Sequence, residues 1–135
     1  MNTSDYMSLM TEAEGCDDEV RAEIRRRLER IVEVFGEVPL VSRTLADCPG
    51  IFIPFSDLSK RLLLEPGHLS AKEMEIAAVA AGVALGSEHC LNIHIPQALR
   101  SGATLEELVE VIMVASFMSM TKGQSIAFRK LAEHR

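Results

Sequence analysis

Apolar and polar positions alternate along most of this chain in steps of three and four, a pattern that predicts helices. Val20, Ile24, Leu28, Ile31, Val32 and Phe35 recur at that spacing with charges between them, so a helix should run from a cap at Asp17 or Asp18 to about Phe35. Gly36 ends it. Residues 38–47 read as a short second helix entered at Pro39 and broken before Pro49. Residues 50–64 form a third, apolar at Phe52, Phe55, Leu58, Leu62 and Leu63, with Pro54 expected in its first turn. A turn at Glu65-Pro66-Gly67 follows.

Ser70 then caps a helix, and Glu73 three residues on completes a capping box. Residues 75–85 are apolar nearly all round and rich in small side chains, as in a central helix packed by neighbours. Gly86 closes it, and Ser87 caps the next helix, which runs to about Arg100 with Gly102 beyond its end. Thr104 caps a further helix, again with a capping-box partner at Glu107. Its main face is expected at Leu105, Leu108, Val109, Ile112, Met113 and Ser116, with Val111, Val114 and Phe117 opposite. Residues 122–134 read as a separate last helix. No strand pattern survives, so the fold class is all-α, a helical bundle. Residues 1–16 are polar and without period, an expected mobile or partner-docked arm, and 17–135 are read as one domain.

Composition narrows the function. Apolar residues make up 47% of the chain and aromatics only 4%, which favours helices over sandwiches or barrels. A formal charge of −6 gives no footprint for nucleic acid or anionic lipid. The basic run Arg25-Arg26-Arg27 is interleaved with Glu23 and Glu29 and reads as a solvated helix face with i,i+4 pairs. No secretory signal is expected in the acidic first residues, and the apolar stretches fall short of the roughly 18–20 residues of a membrane span. Three cysteines at wide spacing make no disulfide framework, and free thiols in a reducing cytoplasm are expected. Two central helices apolar on several faces predict subunit interfaces and thus a homo-oligomer.

The chemistry concentrates in Gly86-Ser87-Glu88-His89-Cys90-Leu91-Asn92-Ile93-His94. Cys90 and His94 are four apart and share a helix face one turn apart. With Ser87 as N-cap, Cys90 is the third helical residue, near the first-turn N–H groups and the positive end of the helix dipole, a setting that favours thiolates. Glu75 is the one charged residue between 75 and 85. It either pairs with His94, giving a Glu–His–Cys proton relay, or lies on a solvated edge near the Ser70 cap. His89 flanks the thiol at the helix start. Metal binding by His89, Cys90, His94 and Glu75 is disfavoured, because adjacent residues on a helix point about 100° apart, and no cofactor is expected. Pro96, two residues past His94, is expected to bend this helix.

At these residues the chain resembles the carboxymuconolactone decarboxylase family, and within it the AhpD-like alkylhydroperoxidase branch. That branch carries a Glu, then a Cys-x-x-Cys, then a His four beyond the second Cys. Glu75, Ser87, Cys90 and His94 meet that spacing, and His89 falls on a position often held by His or Tyr. The likeness continues through residues 69–76 and 94–108 and extends from about Leu45 to Ala132. It implies an attacking thiol at Cys90, a relay at Glu75 and His94, and a resolving position at Ser87. Serine cannot form a disulfide, so the resemblance implies a single-cysteine peroxidase or reductase of peroxiredoxin type, a cytoplasmic antioxidant served by an external thiol reductant or by Cys16 or Cys48. It also implies trimers or hexamers. The decarboxylase branch, which lacks the cysteine pair and acts on a small carboxylic acid, supplies an alternative with His94 or His89 as general acid/base, and Arg100 is the nearest cation to the motif. A non-catalytic family member is the third reading.

Overall fold

The structure, a computed structural model, describes residues 17–135, all helices and connections with no strand among them. The expected arm at 1–16, Cys16 included, lies outside them. The chain divides into two compact units, Met1–Leu62 and Leu63–Arg135, each with its own apolar cluster.

In the first unit, α1 (Asp18–Phe35) begins where Asp17 accepts the Glu19 N–H and ends at Gly36, whose φ of 82° suits glycine. The Ile24 and Leu28 side chains from its apolar stripe are fully buried with Ala46 and Phe52. α2 (Leu40–Leu45) is short and enters at Pro39 as expected. α3 (Pro49–Ser59) begins earlier than the sequence suggested, with Pro49 in its first turn, so Pro54 falls inside the helix. Its missing N–H leaves the Gly50 carbonyl without its helical donor, and both residues are exposed where water can serve instead. The chain continues through a π-helical turn, Lys60–Leu64. Of the apolar residues expected to line this helix, Phe52 is the one in the buried cluster, while Phe55, Leu58 and Leu62 are exposed. Arg26 and Arg27 reach back to Glu23 as an i,i+3 and i,i+4 set, and Arg27 also bonds Asp57 and the Ile53 carbonyl. Phe52→Ala removes the largest fully buried side chain. It is expected to lower stability by about 3–5 kcal/mol, read as an earlier denaturant midpoint with an unchanged slope.

In the second unit three helices pack together: α4 (Ala71–Leu85), α5 (Glu88–Arg100) and α6 (Leu105–Ala132). Both expected capping boxes form, Ser70 with Glu73 and Thr104 with Glu107. Lys72 bonds Glu107 at 2.7 Å and so ties the first turns of α4 and α6 to each other. Val79, Ala98, Ala103 and Leu108 form the buried cluster, with Ile76, Leu91, Ile95, Val111 and Ile112 against it.

Two sequence expectations about α6 change here. α6 is one helix of 28 residues, not two. Thr121 turns its hydroxyl back onto the Met118 carbonyl within the helix, so no capping residue interrupts it before Lys122. The inward face is also rotated: Leu108, Val111, Ile112 and Ala115 face the core, while Leu105, Val109, Met113 and Phe117 are exposed. α5 stays continuous through Pro96, because Pro96 and Asn92, whose carbonyl loses its donor, are both exposed.

The capping boxes carry a pH dependence. The Lys72 ammonium and the Thr104 N–H hold the Glu107 carboxyl below its ordinary range, and the Ser70 backbone and hydroxyl do the same for Glu73. Both groups are more acidic folded than unfolded, so their stabilisation is full above the ordinary carboxylate range and is lost as pH falls through the lowered folded values. The unfolding temperature is expected to drop on acidification through that window. A Glu73→Gln/Glu107→Gln variant, which keeps the box hydrogen bonds but not the charge, should show a shallower drop.

Candidate active site

The corner between α4 and α5 sets the site. Gly86 adopts φ 66°, which ends α4 and lets the Ser87 N–H return to the Gly82 carbonyl at 2.9 Å. Ser87 is extended, and its hydroxyl accepts the Cys90 N–H at 3.3 Å. Ser87 is therefore the N-cap of α5, and Cys90 is its third helical residue, as the sequence implied. The thiol is free and half-buried.

Gly82, which the sequence reading did not single out, fixes how closely α5 approaches. A Cβ placed there would stand 3.0 Å from Leu91 Cδ2 and 3.4 Å from Cys90 Cβ. The absent side chain lets the first turn of α5 lie directly on α4 and carries Cys90 against that helix. The signal was a glycine inside a helix of small residues, a composition that says only that something comes close.

From this corner α5 runs back along α4 and meets Glu75. His94 Nδ1 is 2.7 Å from Glu75 Oε2, and Glu75 is only 6% exposed. Of the two alternatives for Glu75, the buried pair is the one formed. A carboxylate only accepts, so Nδ1 carries the hydrogen of this bond and Nε2 is left as the acceptor of a neutral ring. Cys90 lies one turn before His94 on the same face of α5. A carboxylate that orients an imidazole, with a thiol one turn away, is the layout of a proton relay to a nucleophile.

His89 is exposed and makes none of these hydrogen bonds. Arg100 is in the last turn of α5, where a cation suits the helix dipole. Cys48 is free and exposed in the first unit, just before α3. Among the described residues no three His, Cys, Asp or Glu side chains are grouped to hold a metal ion, and no helix is long and apolar enough to cross a membrane.

Residues 49–133 match the sequence profile of the carboxymuconolactone decarboxylase family. The chain belongs to that family. The matched region spans α3 to α6 and so includes every residue of the site. A further relative, an uncharacterized protein of Cupriavidus necator, is 31% identical over 110 residues, which is 82% of this chain and 91% of the relative. No solved structure gives a significant match.

Proposed function

We propose that this carboxymuconolactone decarboxylase family protein is an AhpD-like thiol peroxidase or reductase that acts through Cys90 alone. The observation that carries this reading is the buried Glu75–His94 pair at 2.7 Å, one turn from Cys90. A carboxylate that is 6% exposed is costly to bury, and here it is spent on the orientation of one imidazole.

The step begins with transfer of the Cys90 thiol proton to His94 Nε2. The thiolate attacks the terminal oxygen of a hydroperoxide; an S–O bond forms and the O–O bond breaks. The departing alkoxide takes the proton back from His94 and leaves as an alcohol. Sulfur is oxidised to the sulfenic acid and the peroxide is reduced. Ser87 has no thiol to condense with it. An external thiol then forms a mixed disulfide with Cys90 and releases water, and a second equivalent releases the symmetrical disulfide and restores the thiol. The Ser87 hydroxyl meanwhile holds the Cys90 N–H and keeps the thiol at the helix start.

Mass spectrometry after limiting hydroperoxide, with a sulfenic-acid trap, tests the proposal. Trapped sulfenate at Cys90, with Cys48 unmodified, is the expected result. Equal modification of Cys48 and Cys90 would mean that the relay adds nothing and would remove the basis for the assignment. Turnover of a small carboxylic acid that survives Cys90→Ala would point instead to the decarboxylase side of the family.

A further inference from the structure

Gly82 stands in the interior of α4, between alanines at 81 and 84. Glycine weakens a helix there relative to alanine, so its place asks for a reason beyond the helix itself. The reason lies on α5. Gly82 is buried, and an added methyl would meet Leu91 Cδ2 at 3.0 Å, Leu91 Cγ at 3.3 Å and Cys90 Cβ at 3.4 Å. Leu91 has little room to retreat, because it packs against the cluster of Val79, Ala98, Ala103 and Leu108. Its N–H also bonds the Ser87 carbonyl at 3.1 Å. The corner adds no slack, since the Gly82 carbonyl itself accepts the Ser87 N–H at 2.9 Å. A methyl at 82 therefore displaces the first turn of α5 as a unit, and Cys90 travels with it.

That displacement matters because α4 touches the relay at two points. Glu75 and Gly82 are seven residues apart, on one face of α4 and about 10 Å from each other along its axis. Glu75 fixes the His94 imidazole at 2.7 Å. Gly82 admits the turn that carries Cys90. On α5 the thiol and the imidazole are one turn apart, about 6 Å along the axis. Their alignment thus depends on α5 lying close to α4 at both contacts together. Prising α5 away at Gly82 alone leaves His94 with Glu75 and turns Cys90 out of line with Nε2.

We propose that Gly82 is a positioning residue for Cys90, its missing side chain serving to align the thiol with His94 for proton transfer. The proposal rests on the relay of the proposed function and adds the part of α4 that holds it in register. Gly82 touches no reacting atom. It acts through the seating of the first turn of α5.

Alkylation of Cys90 by iodoacetamide in the full chain, with Cys48 as internal reference, tests this. Gly82→Ala is expected to keep its helical circular dichroism, since alanine is the better helix former. At neutral pH its Cys90 should react about 3- to 10-fold more slowly, within the range that loss of thiol activation allows. At pH ~10, where a thiol ionises unaided, native and variant rates should converge. Gly82→Ala/Leu91→Ala removes both Leu91 atoms that the methyl meets and should regain the native rate at neutral pH. A neutral-pH rate unchanged in folded Gly82→Ala would make the glycine a packing detail and overturn the proposal. A gap that persists at pH ~10 would mean blocked access, and a double variant as slow as Gly82→Ala would mean another cause; each overturns it as well. Should Gly82→Ala alone fail to fold, the double variant carries the test, with a native rate expected and a slowed one overturning. His94→Ala in the same assay separates this proposal from the relay beneath it. Slowing by His94→Ala but not by Gly82→Ala ends this proposal and leaves the relay, whereas no slowing by His94→Ala ends both.

Discussion

Cys90→Ala is expected to bring thiol-dependent hydroperoxide consumption down to the uncatalysed rate, measured with dithiothreitol as reductant. The reason is the atom balance of the proposed step, in which the oxygen taken from the peroxide ends on Cys90 sulfur. No other group in the site can receive it, since Ser87 supplies a hydroxyl already engaged with the Cys90 N–H. Cys48→Ala is the matched control, because Cys48 is an exposed free thiol that the proposed cycle does not use, and it should leave the rate unchanged. Ser87→Cys extends the same argument. It puts a thiol at the N-cap three residues before Cys90, and treatment with peroxide should then give an intramolecular disulfide and less dependence on external thiol concentration. The cap itself weakens, by about 1 kcal/mol, since a thiol accepts the Cys90 N–H poorly. Retention of full activity in Cys90→Ala would end the proposal.

His94→Ala carries the second large effect, and it acts on two observables. The rate of Cys90 alkylation at neutral pH should fall by up to about 30-fold, because an unassisted thiol is still a few per cent thiolate at pH 7. Stability should fall as well. The Glu75 carboxylate would be left buried without its partner, a loss of about 3 kcal/mol by the behaviour of broken buried pairs. Glu75→Gln separates the two effects. It removes the charge and leaves a group that still bonds the imidazole, so most of the stability should remain while the alkylation rate drops. Alkylation of Cys48 in the same samples provides the internal reference. An alkylation rate at Cys90 unchanged in both variants, with the fold intact, would reduce the pair to a structural contact.

Much of this site was legible in the residues because its parts are local. Ser87 and Cys90 sit three apart, and an N-cap hydroxyl bonds that N–H wherever a helix starts at the following residue. Both capping boxes and the three glycines of positive φ followed the same short-range rules. The pairing of Glu75 with His94 was one of two alternatives, since nineteen residues separate them and a solvated edge near the Ser70 cap was equally open. The close approach of α5 at Gly82 was not legible at all, because which neighbour fills the space beside a glycine is a property of two helices together.

The errors have the same origin. Helical spacing identified apolar residues on both sides of α6 but could not tell which side meets α4, and the face chosen was rotated from the one that is buried. The break expected before Lys122 does not form, and Thr121 bonds back onto the Met118 carbonyl within the running helix. Pro54 falls inside α3 because Pro49 already occupies the first turn.

The sequence by itself determined the helices, their caps, the thiol at the start of α5 and the family likeness, since each depends on residues within a turn or two of one another. Only the tertiary structure decided that Glu75 is buried against His94, that Gly82 brings Cys90 onto α4, and that Leu108 and Ala115 mark the inward side of α6. Those depend on the direction in which one helix crosses another, and that direction is set by how whole faces fit together.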